Sequence, residues 1–156
     1  MDARLNPAAT VIGPKAIKHI VSADRVVAGS TVPTTTQELM KIRASQINGC
    51  GACLDMHVKE AIAAGEDPLR VSLVAAWRET TVFTEAERAA LELAEQGSRL
   101  ADGGRVTDEA WAAAAAHYDE EELTALVCLV SVINAFNRVN VMLGVRGGNY
   151  EPGHLG

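Results

Sequence analysis

Apolar residues recur along this chain at intervals of three and four and never alternate over a strand-length run, so the pattern predicts helices alone. Residues 1–13 read as an extended arm; Pro14 suits a first helical position, and a helix runs from it to about Ala28, with Gly29 as its stop. After Pro33 a second helix opens within Thr34–Thr36 and continues to about Gln46, before Asn48-Gly49 breaks it. A third opens at Cys50 and ends at Gly65. Asp67-Pro68 starts a helix through Trp77 and Arg78, and Thr84-Glu-Ala-Glu87 is a capping box for one reaching about Ser98. Asp102-Gly-Gly-Arg105 is a turn, and Thr107 caps a short alanine-rich helix through His117. Asp119 and Glu122 form a second capping box, opening the longest helix, which ends at Met142 or Leu143 before Gly144. Residues 145–156 read as a tail. The expectation is one all-α domain of about six to seven helices, without internal repeats or linkers.

Composition sharpens this picture. A chain of 156 residues buries roughly 70% of its unfolded surface and needs no disulfide or metal to hold a core. It is 48% hydrophobic but only 4% aromatic, so that core is built from Ala, Leu, Val and Ile. The net charge is −6 with Lys and Arg scattered, which argues against nucleic acid as a partner. The N-terminus lacks the basic start and apolar run of a signal peptide. The most apolar stretch, Ala125 to Phe136, is too short to span a bilayer and contains Ser131 and Asn134. A cytoplasmic protein without membrane contact is expected.

Chemistry concentrates between Asn48 and His57. Cys50 and Cys53 form a CxxC pair, and His57 follows Cys53 by four residues, one helical turn along the same face. In a reducing compartment such a pair is catalytic or metal-binding rather than a structural staple. A closed zinc site needs four ligands, and no second CxxC or HxxxH is present. Cys50 stands at the helix start, where free N–H groups and the helix dipole favour a thiolate; Cys53 has the histidine. Glu38 precedes Cys50 by twelve positions on the adjoining helix. It either orients His57 and accepts its proton, or completes a capping box with Thr35.

Glu38, Cys50-Gly-Ala-Cys53 and His57 resemble the active-site pattern of the AhpD-like alkylhydroperoxidases of the carboxymuconolactone decarboxylase superfamily. The flanking Lys41-Ile-Arg-Ala-Ser-Gln-Ile-Asn-Gly, Asp55-Met-His-Val-Lys59, Trp77-Arg-Glu-Thr-Thr-Val-Phe83, Glu87-Arg-Ala-Ala-Leu91 and Ile133-Asn-Ala-Phe-Asn-Arg138 look like its single-domain, peroxidase-type branch. The resemblance implies a helical bundle assembled as a homotrimer or homohexamer. It implies a thiol-dependent peroxidase that reduces small organic hydroperoxides and is recharged by an external dithiol donor, with no cofactor and no metal. Cys53, deprotonated through His57 with Glu38 behind it, would attack, and Cys50 would resolve the sulfenic acid as a disulfide. The best-studied pattern has a histidine just before the second cysteine; here Ala52 stands there, and that proton-relay group is missing. The superfamily's true decarboxylases lack the CxxC, which disfavours lactone decarboxylation. General thiol–disulfide exchange and a zinc-holding structural oligomer are the other readings.

The remaining candidates have plainer readings. Cys128, among Leu126, Val127, Leu129 and Val130, reads as a small buried hydrophobe. His117 reads as a helix-end cation, the run Ala112–Ala116 as a packing surface, and Trp77 as a core or interface anchor. His19 and His154 have no chemical partner nearby in sequence. Asn134, Asn137 and Asn140 line one side of an apolar helix, read as an intersubunit hydrogen-bond seam in preference to a lining for the dithiol.

Overall fold

Gly49 sets the course of the chain at its centre. Its φ of 64° is left-handed, a conformation glycine adopts without steric cost. There α2 (Thr34–Asn48) ends and the chain reverses into α3 (Gly51–Ala63), leaving Cys50 as the N-cap of the new helix. The computed structural model describes residues 3–153, and His154 lies outside them. Among the described residues all regular structure is helical.

Ahead of α2 lies α1 (Ile12–Ala28). It begins two residues before Pro14, which sits in the first turn, where a missing N–H costs nothing. The expected extended arm is folded: Asn6 caps a 3-10 turn at Pro7–Ala9, and Arg4 bonds the carbonyls of Met142 and Leu143. After α3, α4 (Pro68–Leu73) tightens into a 3-10 segment, Val74–Glu79, broken at Ala76 (φ −120°). The predicted single helix is therefore two pieces, and Trp77 comes to lie in the core with Nε1 donating to Glu95 Oε2 at 3.0 Å. Both predicted capping boxes are present, on α5 (Glu85–Ser98) and on the last helix. Between them α6 (Leu100–Gly103) replaces the predicted turn, and α7 (Asp108–Ala115) stops short of His117, which is exposed.

The last helix, α8 (Glu120–Leu143), has 24 residues and an 18-residue window of mean hydropathy 1.7, long and apolar enough to cross a membrane. The twelve-residue apolar stretch thus underestimates it. In this fold it is a core helix, packed against α1, α2 and α5. Leu126, Leu129 and Ile133 join Met40, Ala44, Leu93 and both CxxC cysteines in one buried cluster. Fully burying each such aliphatic side chain is worth roughly 1.5–3 kcal/mol. Cys128 is exposed, contrary to expectation. With 100° between successive residues, its apolar neighbours in sequence point inward while Val127 and Cys128 point outward.

The C-terminal segment is not a free tail. Asp55 accepts from the backbone N–H groups of Gly148 and Tyr150 at 2.5 and 2.9 Å, and Lys59 donates to the Tyr150 carbonyl at 2.8 Å. Glu60 accepts from Gly153 N–H at 2.8 Å and from the Tyr150 hydroxyl. Residues 147–153 therefore run as a strap along α3. At its start Gly147 lies flush against Gly51, inside the CxxC, and a Cβ there would collide with the Gly51 carbonyl.

Candidate active site

Cys50 and Cys53 lie with their sulfurs 2.7 Å apart, both unoxidised, 1% and 4% exposed. A disulfide of about 2.05 Å is a small movement away. The Cys53 backbone N–H also points at Cys50 Sγ, at 3.4 Å, as an N-cap interaction. The pair shares its charge unequally. The Cys53 thiol donates to Cys50, and although burial opposes it, that bond with the Cys53 N–H and the Asn137 and Asn140 amides lowers the Cys50 thiol to about 6. Donating to Cys50, together with burial, pushes Cys53 up. The first negative charge therefore falls on Cys50, the sulfur at the helix terminus.

One turn on, His57 is buried and its Nδ1 lies 2.9 Å from Glu38 Oε2. A carboxylate only accepts, so Nδ1 carries a proton, and whenever the imidazole is neutral Nε2 is its basic nitrogen. Burial alone would raise the Glu38 carboxyl; the hydrogen bond to His57 and the charges of His57 and Lys41 hold it below the usual range. The capping-box alternative for Glu38 is not realised, because Pro33 is the N-cap of α2 and no side chain caps it. The antiparallel α2–α3 hairpin brings Glu38 across to His57, as its spacing allowed. No hydrogen bond joins His57 to either sulfur among the described residues, so the expected direct imidazole–Cys53 pair is absent.

The group that touches Cys53 is Asn140, whose Nδ2 lies 3.3 Å from Sγ. It belongs to a larger amide assembly. Asn48 Nδ2 donates to Asn134 and Asn137 Oδ1, each at 2.9 Å, while Asn137 donates to Ser45 Oγ at 3.0 Å and Asn134 to Ser98 Oγ at 2.9 Å. Asn137 is fully buried and Asn134 nearly so. The expected intersubunit seam is thus corrected: these asparagines bond within the chain, and Asn137 and Asn140 reach the dithiol. Their i, i+3 spacing in an apolar helix was the signal, and it was legible. No group of three or more His, Cys, Asp or Glu side chains among the described residues is arranged to hold a metal ion.

Residues 15–96, which carry Glu38, both cysteines and His57, match the model of the carboxymuconolactone decarboxylase family. The chain belongs to that family. The uncharacterized protein YdfG of Bacillus subtilis is 38% identical over 135 residues, covering 86% of this chain and 91% of its own. A protein of unknown function from Agrobacterium tumefaciens, a candidate antioxidant-defence protein AhpD, superposes with a TM-score of 0.88 at 33% identity, over 96% of this chain and all of that one. The debrominase Bmp8, in complex with 2,3,4-tribromopyrrole, shares the fold alone, at a TM-score of 0.77 and 20% identity over 87% of this chain and 72% of its own. The chain is thus an AhpD-like member of the carboxymuconolactone decarboxylase family, as its Glu38–CxxC–His57 pattern suggested. In the position where the resemblance leads one to expect a histidine, Ala52 packs against the apolar core.

Proposed function

We propose that this carboxymuconolactone decarboxylase family member is a dithiol peroxidase acting on small organic hydroperoxides, with an antioxidant role. One observation carries the reading: two buried, unoxidised thiols in contact, beside a buried Glu38–His57 pair. A thiolate sulfur attacks the outer peroxide oxygen, the O–O bond breaks, and the alcohol leaves with a proton. The sulfenic acid condenses with the second thiol, releasing water and closing the Cys50–Cys53 disulfide. An external dithiol then returns two electrons and two protons. In the resting pair the charge sits on Cys50, while His57, one turn beyond Cys53, is the base for that thiol's proton and passes it to the departing alkoxide. The near-complete burial of both sulfurs favours a small peroxide over a protein disulfide as oxidant.

Assembly as a homotrimer or homohexamer belongs to the same proposal. Val11, Ile12, Val26 and Met142, each more than 70% exposed, supply apolar surface for subunit contacts. A single monomeric species on sedimentation at micromolar concentration would sink that part.

The test of the function is steady-state consumption of tert-butyl hydroperoxide with dithiothreitol as donor. Turnover in the wild type that is lost in Cys50→Ser and in Cys53→Ser supports the reading; turnover surviving in both variants overturns it. Dimedone trapping assigns the attacking sulfur: an adduct in Cys50→Ser identifies Cys53, and one only in Cys53→Ser identifies Cys50.

A further inference from the structure

Glu38 is held from both ends of its carboxylate. His57 takes Oε2, and Lys41 donates to Oε1 at 3.2 Å; Lys41 Nζ also lies 3.6 Å from Asp24 Oδ1 on α1. Four ionisable side chains from three helices therefore stand in line, Asp24–Lys41–Glu38–His57. Lys41 is only 6% exposed, and Asp24, at the outer end, keeps about a third of its side chain in solvent. Lysine is almost never buried unless paired, and an ion pair removed from water incurs a desolvation cost that an apolar residue at the same place avoids. The α2 interior has no need of a cation for packing, since Leu39, Met40 and Ile42 around it are fully buried.

We propose that Lys41 is a positioning residue for the dithiol's base: its ammonium keeps Glu38 ionised and turned toward His57, with Asp24 as its outer counter-ion. This rests on the reading of Glu38 and His57 as the base of the dithiol. A carboxylate with one oxygen on a fixed cation cannot rotate away from the imidazole without breaking that bond. Nor does it readily take the proton that His57 is to hold. Glu66 shares a cleft of about 250 Å³ with Glu38, together with Thr34, Thr35 and Ala61. Glu66 is already paired with Arg70 at 2.8 Å. Facing Lys41 are Asp24 from α1 and Glu38 from its own helix.

The sign follows from charge. A cation beside a carboxylate lowers the pH at which that carboxylate takes a proton, by about 1 unit or more at this distance. In Lys41→Met the acid limb of dithiol reactivity moves up by about 1 pH unit. Lys41→Arg restores it, and Asp24→Asn, which leaves the ammonium less neutralised, moves it down by a smaller step.

The experiment is the rate of iodoacetamide alkylation of Cys50 and Cys53 against pH in the reduced proteins, with tert-butyl hydroperoxide consumption run in parallel. An upward limb in Lys41→Met that returns in Lys41→Arg supports the proposal. Coincident limbs in wild type, Lys41→Met and Asp24→Asn overturn it, even if every protein consumes peroxide. Should Lys41→Met not fold, Asp24→Asn decides: a downward limb supports the proposal and an unmoved one overturns it. If the limbs shift as expected while the wild type consumes no peroxide, Lys41 keeps its role and the peroxidase reading falls.

Discussion

Two polar assemblies meet at the dithiol, and they are made of different material. On the α2–α3 side stand ionisable groups: Asp24, Lys41, Glu38 and His57. On the α8 side, where that helix packs on α2 and α5, stand amides and hydroxyls: Asn134 and Asn137 with Asn48 and Ser45 of α2 and Ser98 of α5, and, at the sulfur itself, Asn140. Amides at these pH values neither gain nor lose a proton, so the α8 side can hold the cysteines in place but cannot move charge. The ionic side can do both. The contrast teaches a division of labour, in which proton traffic belongs to one wall and geometry to the other.

Substitutions on each wall should therefore separate rate from stability. The largest effect is expected from Glu38→Gln, which keeps the shape but removes the charge behind His57. Peroxide consumption should fall by about 10²- to 10⁴-fold, the usual contribution of a positioned acid–base group. Its thermal midpoint should move less than that of the next variant. Asn137→Ala strikes the other wall: it strips Ser45 and Asn48 of a partner at a fully buried position. About 1–3 kcal/mol should be lost in urea unfolding, with a smaller loss of rate in the folded protein than Glu38→Gln shows. If the two variants exchanged these signatures, the division would be wrong.

Asn140→Ala sharpens the comparison at their meeting point. Its amide donates to Cys53 and helps to hold the first thiol ionisation at about 6 on Cys50. Thiolate absorbance at 240 nm should rise with a midpoint near that value in the wild type and at higher pH in the variant. Coincident curves would show the amide to be electrostatically idle. Least of all should Arg78→Ala matter. Its guanidinium is well exposed, pairing with Glu92 at 2.6 Å and Glu95 at 3.0 Å, away from both walls. Stability should change by less than about 1 kcal/mol, and the thiol titration should be unmoved.

Much of this was readable from the chain. Asn48-Gly49 announced the reversal, both capping boxes stood where expected, and the i, i+4 step from Cys53 to His57 put them on one helix face. Glu38 was visible as a candidate, and the hairpin geometry decided between its two roles. What periodicity could not tell is which side of a helix faces in. Cys128 looked buried because its sequence neighbours are apolar, yet the helix turns Leu126, Leu129 and Val130 inward and leaves Cys128 outside with Val127. The three asparagines of α8 were recognised as a row but assigned to the wrong partner, since only the packing of α8 on α2 brings Asn137 to Ser45. The strap escaped altogether. It is held by backbone N–H and carbonyl groups meeting Asp55, Lys59 and Glu60, and such bonds leave no apolar pattern in the sequence.

The most direct test of the whole account is a single turnover. Reduced protein, with its three free cysteines, is given one equivalent of tert-butyl hydroperoxide, and its thiols are counted alongside the intact mass. The account predicts that one thiol remains, the exposed Cys128, with a mass lower by two hydrogens and Cys50 linked to Cys53. Three thiols and an unchanged mass would contradict it.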